Sequence, residues 1–468
     1  VLEPCLSTDR DYIADTRGLS KRLSNAVKFQ TINYGFHDYN RDELRKFIAY
    51  ISKSFPLVHS SPSVSYEVVN NLSLLYYIKG SDAELKPYLL TGHMDVVPVE
   101  ESYWEEEPFS GTIKDGYIWG RGTIDSKHIV MGTLEALEFL LEKGYKPKRS
   151  FYLAYGHDEE SGGLDGAQYI SQLLKSRNVE LEYLLDEGSF VMDDFVPGIT
   201  SPVALISVSE KGSLNLELKV RSIPGHSSFP SRETAIVILS KALSKLGGDI
   251  FPSMFGKGPE ESLFEELAHC APFPFKVVFK NLWLFKYPVI MYMSDPVMSA
   301  VHRTTVAVTI VTGGNKINVL PSTATANLNL RVHPAQTNNE ALQFVKNTVR
   351  DERVEINVIS QDPPHPFSPT DSLGYYLIRK TIRQIYNNSC VAPMTLIANT
   401  DSRWYLNLTR NVYRFSLIRM KPSELDRFHG HNERISVENY EKVVNFFLHL
   451  IKNSDDKPSS DKHSHNEL

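Results

Sequence analysis

The 468-residue chain has only three cysteines, Cys5, Cys270 and Cys390, and no CxxC pair among them. That excludes a disulfide framework and a cysteine-type zinc site, and leaves one bridge open, Cys5–Cys390 or Cys270–Cys390. No apolar run approaches the ~20 residues that cross a bilayer, so no transmembrane segment is expected. No basic block stands out either, and Lys+Arg 50 against Asp+Glu 56 gives a net charge of −6. Nucleic acid and anionic membrane are therefore poor partners. There is no G-x-S-x-G elbow, which argues against a serine hydrolase. Gly120-Arg121-Gly122 is a fragment of a dinucleotide fingerprint without its third glycine. What the chain does have is 41% hydrophobic and 23% charged residues, the balance of a soluble globular enzyme of two or three domains.

Several short apolar runs end in chemically active side chains. Tyr88-Leu89-Leu90 leads to His93 and Asp95, Phe151–Tyr155 to His157-Asp158-Glu159-Glu160, and Tyr183-Leu184-Leu185 to Asp186-Glu187. Such runs suit strands covered on both faces. After Asp125, the residues Val130, Leu134, Leu137 and Leu141 repeat at helical spacing until Gly144. Alternating strand and helix predicts an α/β fold with a doubly wound, mostly parallel sheet and its ligand site at the strands' carboxyl ends. The middle of the chain differs. Leu214, Leu216, Leu218 and Val220 alternate with polar residues, as do Ala326, Leu328, Leu330 and Val332, the pattern of an antiparallel sheet with one wet face. Residues 210–362 are expected to form an inserted α+β domain, with 1–209 and 363–452 as the first domain and 453–468 as a disordered tail.

Compartment signals are indirect. Sequons lie at Asn71, Asn387 and Asn407, the start at Val1 fits a processed product, and His465-Asn466-Glu467-Leu468 reads either as a solvated tail or as a variant of an ER-retention signal. The expectation is a secretory-pathway protein.

Metal-assisted hydrolysis needs imidazoles and carboxylates on a fixed frame with a position left for water. The candidates are His93, Asp95, Asp125, Glu159, Glu160, Asp186 or Glu187, and His429 or His431. Singly, each reads as a helix cap, a turn residue or a solvated charge. Together, at the ends of successive strands, they read as a site.

Thr91-Gly92-His93-Met94-Asp95, Gly120–Lys127, Asp158-Glu159-Glu160-Ser161-Gly162-Gly163, Leu185–Gly188, Pro224-Gly225-His226-Ser227-Ser228, Gly313–Pro321 and His429-Gly430-His431-Asn432-Glu433 resemble the dinuclear-zinc aminoacylase/carboxypeptidase family. The match covers roughly residues 20–452. Ser209–Ser213, Asn399-Thr400-Asp401-Ser402-Arg403 and the aromatic segment after Cys270 are similar to the family's secreted N-fatty-acyl-amino-acid synthase/hydrolase branch. The resemblance implies two zinc ions per subunit, held by a catalytic domain of residues 1–209 and 363–452, and a homodimer in which 210–362 is the lid and dimerisation domain. In it His93 binds one zinc and is oriented by Asp95, Asp125 bridges both ions, Glu160 binds the other, and Glu159 is the general base. Glu187 and His429 are the remaining ligands, with Asp186 as the alternative to Glu187. The two neighbouring glutamates are expected to diverge because successive side chains on an extended backbone point opposite ways. His226 would reach the partner subunit's site and stabilise an oxyanion, where one such donor contributes ~3 kcal/mol. Asn318 and Arg331 would bind the substrate's carbonyl and free carboxylate. The segment Phe273–Met298 has two readings, lid core or subunit interface, or an apolar wall for a fatty acyl chain. The implied activity is hydrolysis of N-acyl amino acids, possible in reverse as synthesis. The alternatives are a secreted carboxypeptidase on short peptides and a non-catalytic binder.

Overall fold

The computed structural model describes residues 11–196, 198–294 and 296–455. Numbering only the strands of the two main sheets, the chain forms β1 (Val64–Val69), β2 (Ser73–Ile78), β3 (Tyr88–His93), β4 (Phe151–Gly156), β5 (Leu184–Met192) and β6 (Val203–Glu210), then β7 (Gly212–Arg221), β8 (Thr305–Gly313), β9 (Thr323–Val332) and β10 (Val354–Asp362), and finally β11 (Cys390–Leu396) and β12 (Val412–Met420). The eight-stranded sheet has the order β11-β6-β12-β5-β3-β4-β2-β1. Its centre is parallel: β3 pairs with β4 and β5, and β5 with β12, all in the same direction. Antiparallel pairings carry the sheet outward through β2 and β6.

Every residue of β3 and β4 is buried, as their unbroken apolar runs require. Leu90, Leu153 and Leu185 pack with Leu134, Leu137 and Val444 of the helices Lys127–Glu142 and Val437–Asn453. Leu89, Ala154 and Leu184 pack against Ala167, Ile170 and Leu174 of the helix Ala167–Ser176 on the other face. Helices on both faces make this the expected doubly wound α/β layer. The Ser436 side chain caps the last long helix by accepting from the Asn439 amide.

The second sheet is antiparallel, in the order β8-β9-β7-β10. Leu214, Leu216, Leu218 and Val220 pair with the buried face of β9 and pack under the helices Ala235–Ser244 and Asn338–Val349. Its other face carries half-buried polar residues, Asn215, Glu217, Lys219, Asn327 and Asn329, and most of the edge strand β8 is exposed.

Two expectations about domain limits need correction. The stretch 210–362 does not pack as one body. Phe264, Leu267, Phe279, Leu282 and Val289, from three helices between Glu260 and Tyr292, join the core of the large sheet, not that of the small one. The Cys270–Cys390 disulfide ties the first of these helices to β11. Residues 453–455, expected at the start of the tail, also belong to the fold. The last helix runs to Asn453, Ser454 is buried, and the Asp455 carboxylate accepts amide hydrogens from Lys148 and Arg149. Cys5, Val1 and the segment 465–468 lie outside the described residues.

Candidate metal centre

The fold brings the strand ends together at one edge of the parallel layer. β3 ends in His93, and Asp95 follows in the next loop. Asp125 sits just before the helix Lys127–Glu142, and β5 carries Glu187. His429 lies in the loop after β12, held at a left-handed φ of 56°. The residues Glu159 and Glu160 do not lie on an extended segment, as the alternation argument assumed, but open a 3-10 turn, Glu159–Ser161. They diverge because the Asp95 carboxylate grips the turn from below, accepting the Glu159 amide at 3.2 Å and the Glu160 amide at 3.1 Å.

Two donor sets share one carboxylate. His93 Nε2 lies 3.0 Å from Asp125 Oδ1 and 3.3 Å from Glu187 Oε1. His429 Nε2 lies 3.1 Å from Asp125 Oδ2 and 3.2 Å from Glu160 Oε2. Asp125 therefore turns one oxygen toward each set. Tetrahedral zinc with bonds of 2.0–2.1 Å sets its ligand atoms about 3.3 Å apart, close to these separations. Glu160 Oε1 is buried with no hydrogen-bond partner. Glu159 stands opposite, its Oε2 3.9 Å from His93 Nε2.

The charges point the same way. Burial pushes the Glu187 carboxyl up to about 8, with His93 opposing and Asp125 and Asp186 adding to the rise. Burial likewise lifts Glu159 well above its usual range. Hydrogen bonds to Asp125 and Glu160 raise His429 to about 10. Burial works to raise Asp125, yet the imidazoles of His429 and His93 hold it below the carboxylate range. A buried surplus of carboxylates with half-satisfied lone pairs is the environment a divalent cation neutralises. The residues present fit a metal.

The remaining expected residues divide. Asp186 faces away from the cluster. Its Oδ1 accepts the Glu187 amide, and its neighbours are Glu210 and Arg414. His431 packs by its ring on Tyr103 and takes no part. His226 and Asn318 are exposed on the smaller domain and lie side by side, where the Ser227 amide donates to the Asn318 carbonyl. Neither joins the cluster within one chain. Arg331, at the end of β9, is mostly buried and donates to Asn399 of the large domain. Of Phe273–Met298, the side chains of Phe273, Trp283, Tyr287 and Met291 are exposed while Phe279 and Val289 are buried, so this segment is not a continuous apolar wall.

Sequence reasoning missed several supports. Asn33 donates to Asp95 Oδ2 at 2.8 Å, and nothing local marked it. Glu433 closes the His429–Glu433 motif and could have been suspected from it. It accepts from the amides of Gly122 and Ile124 at 2.9 Å and from Arg121 at 2.7 Å, which fixes the loop that presents Asp125. Asp401 is buried beside the Glu159 turn with both carboxylate oxygens unpartnered. Its Oδ1 stands 2.0 Å from where a Cβ on Gly163 would lie, so that position, at φ +68, admits only glycine. The two segments similar to the N-fatty-acyl branch meet in space, since Thr400 and Ser402 both donate to Glu210, which also pairs with the buried Arg414 at 2.7 Å.

This chain is 47% identical over 444 residues to the N-fatty-acyl-amino acid synthase/hydrolase PM20D1 of Xenopus tropicalis, covering 94% of this chain and 86% of that one. It is 41% identical over 447 residues to a probable carboxypeptidase S-like 2 of Dictyostelium discoideum, covering 93% and 85%. Its fold is similar to that of human carnosine dipeptidase 1, with a TM-score of 0.68 at 14% identity over 94% of this chain and 96% of the other. The sequence profile of Peptidase family M20/M25/M40 matches residues 89–453, so the chain belongs to that family and is an amide-bond hydrolase.

Proposed function

We propose that this protein is a two-zinc hydrolase of N-acyl amino acids with long acyl chains, able to run in the synthetic direction when fatty acid and amino acid are abundant. The observation that carries the reading is the Asp125 carboxylate shared between the His93–Glu187 and His429–Glu160 donor sets, with Glu159 facing them. The long acyl chain is supported by the relative named N-fatty-acyl-amino acid synthase/hydrolase. When bound, the cations would polarise the amide carbonyl and make a water acidic enough to attack. Glu159 accepts that water's proton and later delivers it to the departing nitrogen. A raised pKa suits this exchange, since burial disfavours leaving the carboxylate charged. Asp95 fixes the His93 ring from behind, its Oδ1 3.2 Å from Nδ1. Arg331 presents a guanidinium for the free carboxylate of the substrate.

The homodimer belongs to the same proposal. It is supported by the edge strand β8 of the small sheet, which is mostly exposed and carries the apolar side chains of Ile310 and Val311. His226 and Asn318 then act in the partner's site. A secretory location is supported by the Cys270–Cys390 bridge and by the exposure of Asn71, Asn387 and Asn407.

A second reading, a carboxypeptidase acting on short peptides, is favoured by the carboxypeptidase S-like relative. Amino-acid release from N-oleoyl-phenylalanine and from a plain dipeptide, each with and without a chelator, separates the two. Chelator-sensitive cleavage favouring the fatty acyl substrate is expected. Preference for the dipeptide would overturn the first reading. Glu159→Gln should keep its metal and lose about 10²–10⁴-fold in turnover, and retained activity would refute the base assignment.

A further inference from the structure

A cavity of about 360 Å³ opens on the large domain beside the metal centre. Phe190, Phe195, Leu205, Met394 and Leu396 line it, and Ser189 contributes a single hydroxyl. Among the described residues, none that lines it is charged. Its position follows from the chain. Ser189 lies two residues beyond Glu187 on the same strand, about 7 Å along. The Phe190 ring stacks at 4.7 Å on that of Phe428, the residue before His429. Ile397, also on the lining, comes two residues before Asn399, which accepts from the Arg331 guanidinium. The cavity thus borders the segments that carry Glu187, His429 and the partner of Arg331.

We infer that this cavity receives the acyl chain of the substrate, an inference that rests on the N-acyl-amino-acid reading above. The lining decides between occupants. The Ser189 hydroxyl is already bonded to Ser207, so a peptide in the cavity would bury its amides unsatisfied. A methylene chain has no polar group to satisfy and gains roughly fourfold in binding for each CH₂ removed from water. The substrate's free carboxylate finds no cation among the lining residues and stays outside, toward Arg331. Size agrees: at about 30 Å³ per group, the share of a liquid water, the cavity takes roughly twelve methylenes. That is more than any amino-acid side chain fills. Among the described residues of Phe273–Met298, Met298 alone lines this cavity.

The test uses the zinc-loaded full chain and two readouts. The first is binding of cis-parinaric acid, a fluorescent fatty acid, to wild type and to M394W and F195W, which fill the cavity from different walls. The second is kcat/KM for N-acyl-phenylalanines with chains from acetyl to oleoyl. Wild type should bind one equivalent of the probe, and its kcat/KM should climb with chain length and level off beyond about twelve carbons. M394W, displacing about two methylenes, should lower the oleoyl-to-acetyl ratio roughly 15-fold, and F195W, displacing about one, roughly fourfold, each weakening the probe similarly. Absence of probe binding in wild type, or variants that leave both readouts unchanged, would overturn the assignment. A variant that instead shifts preference among amino acids at fixed chain length would give the cavity to the amino-acid side chain, and the inference would fail. Probe binding that the variants weaken, without cleavage of any N-acyl amino acid by wild type, would keep the cavity's role and reject the proposed function.

Discussion

Gly430, between His429 and His431, tests whether the His429 loop is built by close packing. A Cβ at this position would lie 1.9 Å from the carbonyl oxygen of Asp426, against 3.4 Å or more for an ordinary contact. The obstacle is backbone, at the end of the 3-10 turn Pro422–Arg427, and cannot swing aside as a side chain would. Gly430→Ala must therefore open the turn by roughly 1.5 Å or push the chain the other way, and the nearest functional group to move is the His429 ring. Overpacking of this kind costs about 1–3 kcal/mol. A displacement of about 1 Å in a positioned group costs about 10²-fold in turnover. Zinc affinity, measured by competition with a chelator, should fall at least tenfold, because His429 Nε2 leaves its places 3.1 Å from Asp125 and 3.2 Å from Glu160. Gly247 provides the comparison. It has an unstrained φ and nothing within 4 Å of its Cβ position, so Gly247→Ala should change stability by under about 0.5 kcal/mol. A Gly430→Ala protein with wild-type zinc affinity, kcat/KM and melting temperature would refute the idea that this glycine places His429.

Three further outcomes follow from the same geometry. Glu187→Gln should lower zinc affinity at least tenfold, while Asp186→Asn, on the side away from the cluster, should leave it within a few-fold; the reverse order in a chelator competition would exchange their roles. Mixing His226→Ala chains with Glu159→Gln chains should restore roughly one quarter of wild-type activity, because half of the mixed dimers are heterodimers with one complete site each; verified heterodimers without activity would place the oxyanion donor within one chain. Burial, with Arg331 adding to it, lowers the Lys211 ammonium to about 7, while its Nζ donates to the carbonyls of Ala300 and Arg303. Because the folded pKa is depressed, the unfolded chain binds more protons between about pH 7 and 10.5, so stability gained from this group rises with pH across that window, by up to roughly 5 kcal/mol. Lys211→Met should flatten that slope in denaturant titrations, and an unchanged slope would show that the lysine is not held neutral.

The large sheet was legible because its central strands leave no polar face: Tyr88–Leu90 and Phe151–Tyr155 are apolar at every position, and that pattern has one stable solution, cover on both sides. The cluster was legible for a related reason. His93, Glu159 and Glu187 come directly after or within such strands, and parallel strands put their carboxyl ends at one edge. The helices between Glu260 and Tyr292 were not legible in this way. The helix Leu282–Tyr292 carries apolar residues all around, so Leu282 and Val289 turn inward while Trp283, Leu284, Tyr287 and Met291 stay exposed, and no periodicity marks the difference. Which core they join is decided by docking onto β11, a contact more than a hundred residues away in the chain.

Asp186 and Glu187 show where pattern reading stops. Two acids on one strand must point to opposite faces, so the sequence implies that one faces the site, and the family resemblance favours the second. Alternation alone does not choose between them, because the choice depends on the local register. β12 pairs Arg414 with Asp186 and Phe415 with Ser189, leaving Glu187 and Gly188 opposite no residue of their own. That bulge, with Gly188 at φ 152°, is where β5 changes its alignment with β12. A Cβ on Gly188 would lie 2.5 Å from the Cβ of Arg414, so the glycine is needed for β12 to approach. Arg414 is in turn held by Glu210 from β6. The orientation of one metal-facing carboxylate is thus set by a glycine next to it and by an ion pair whose members come from two other strands. Each of these residues is visible in the sequence; their adjacency exists only once the sheet has formed.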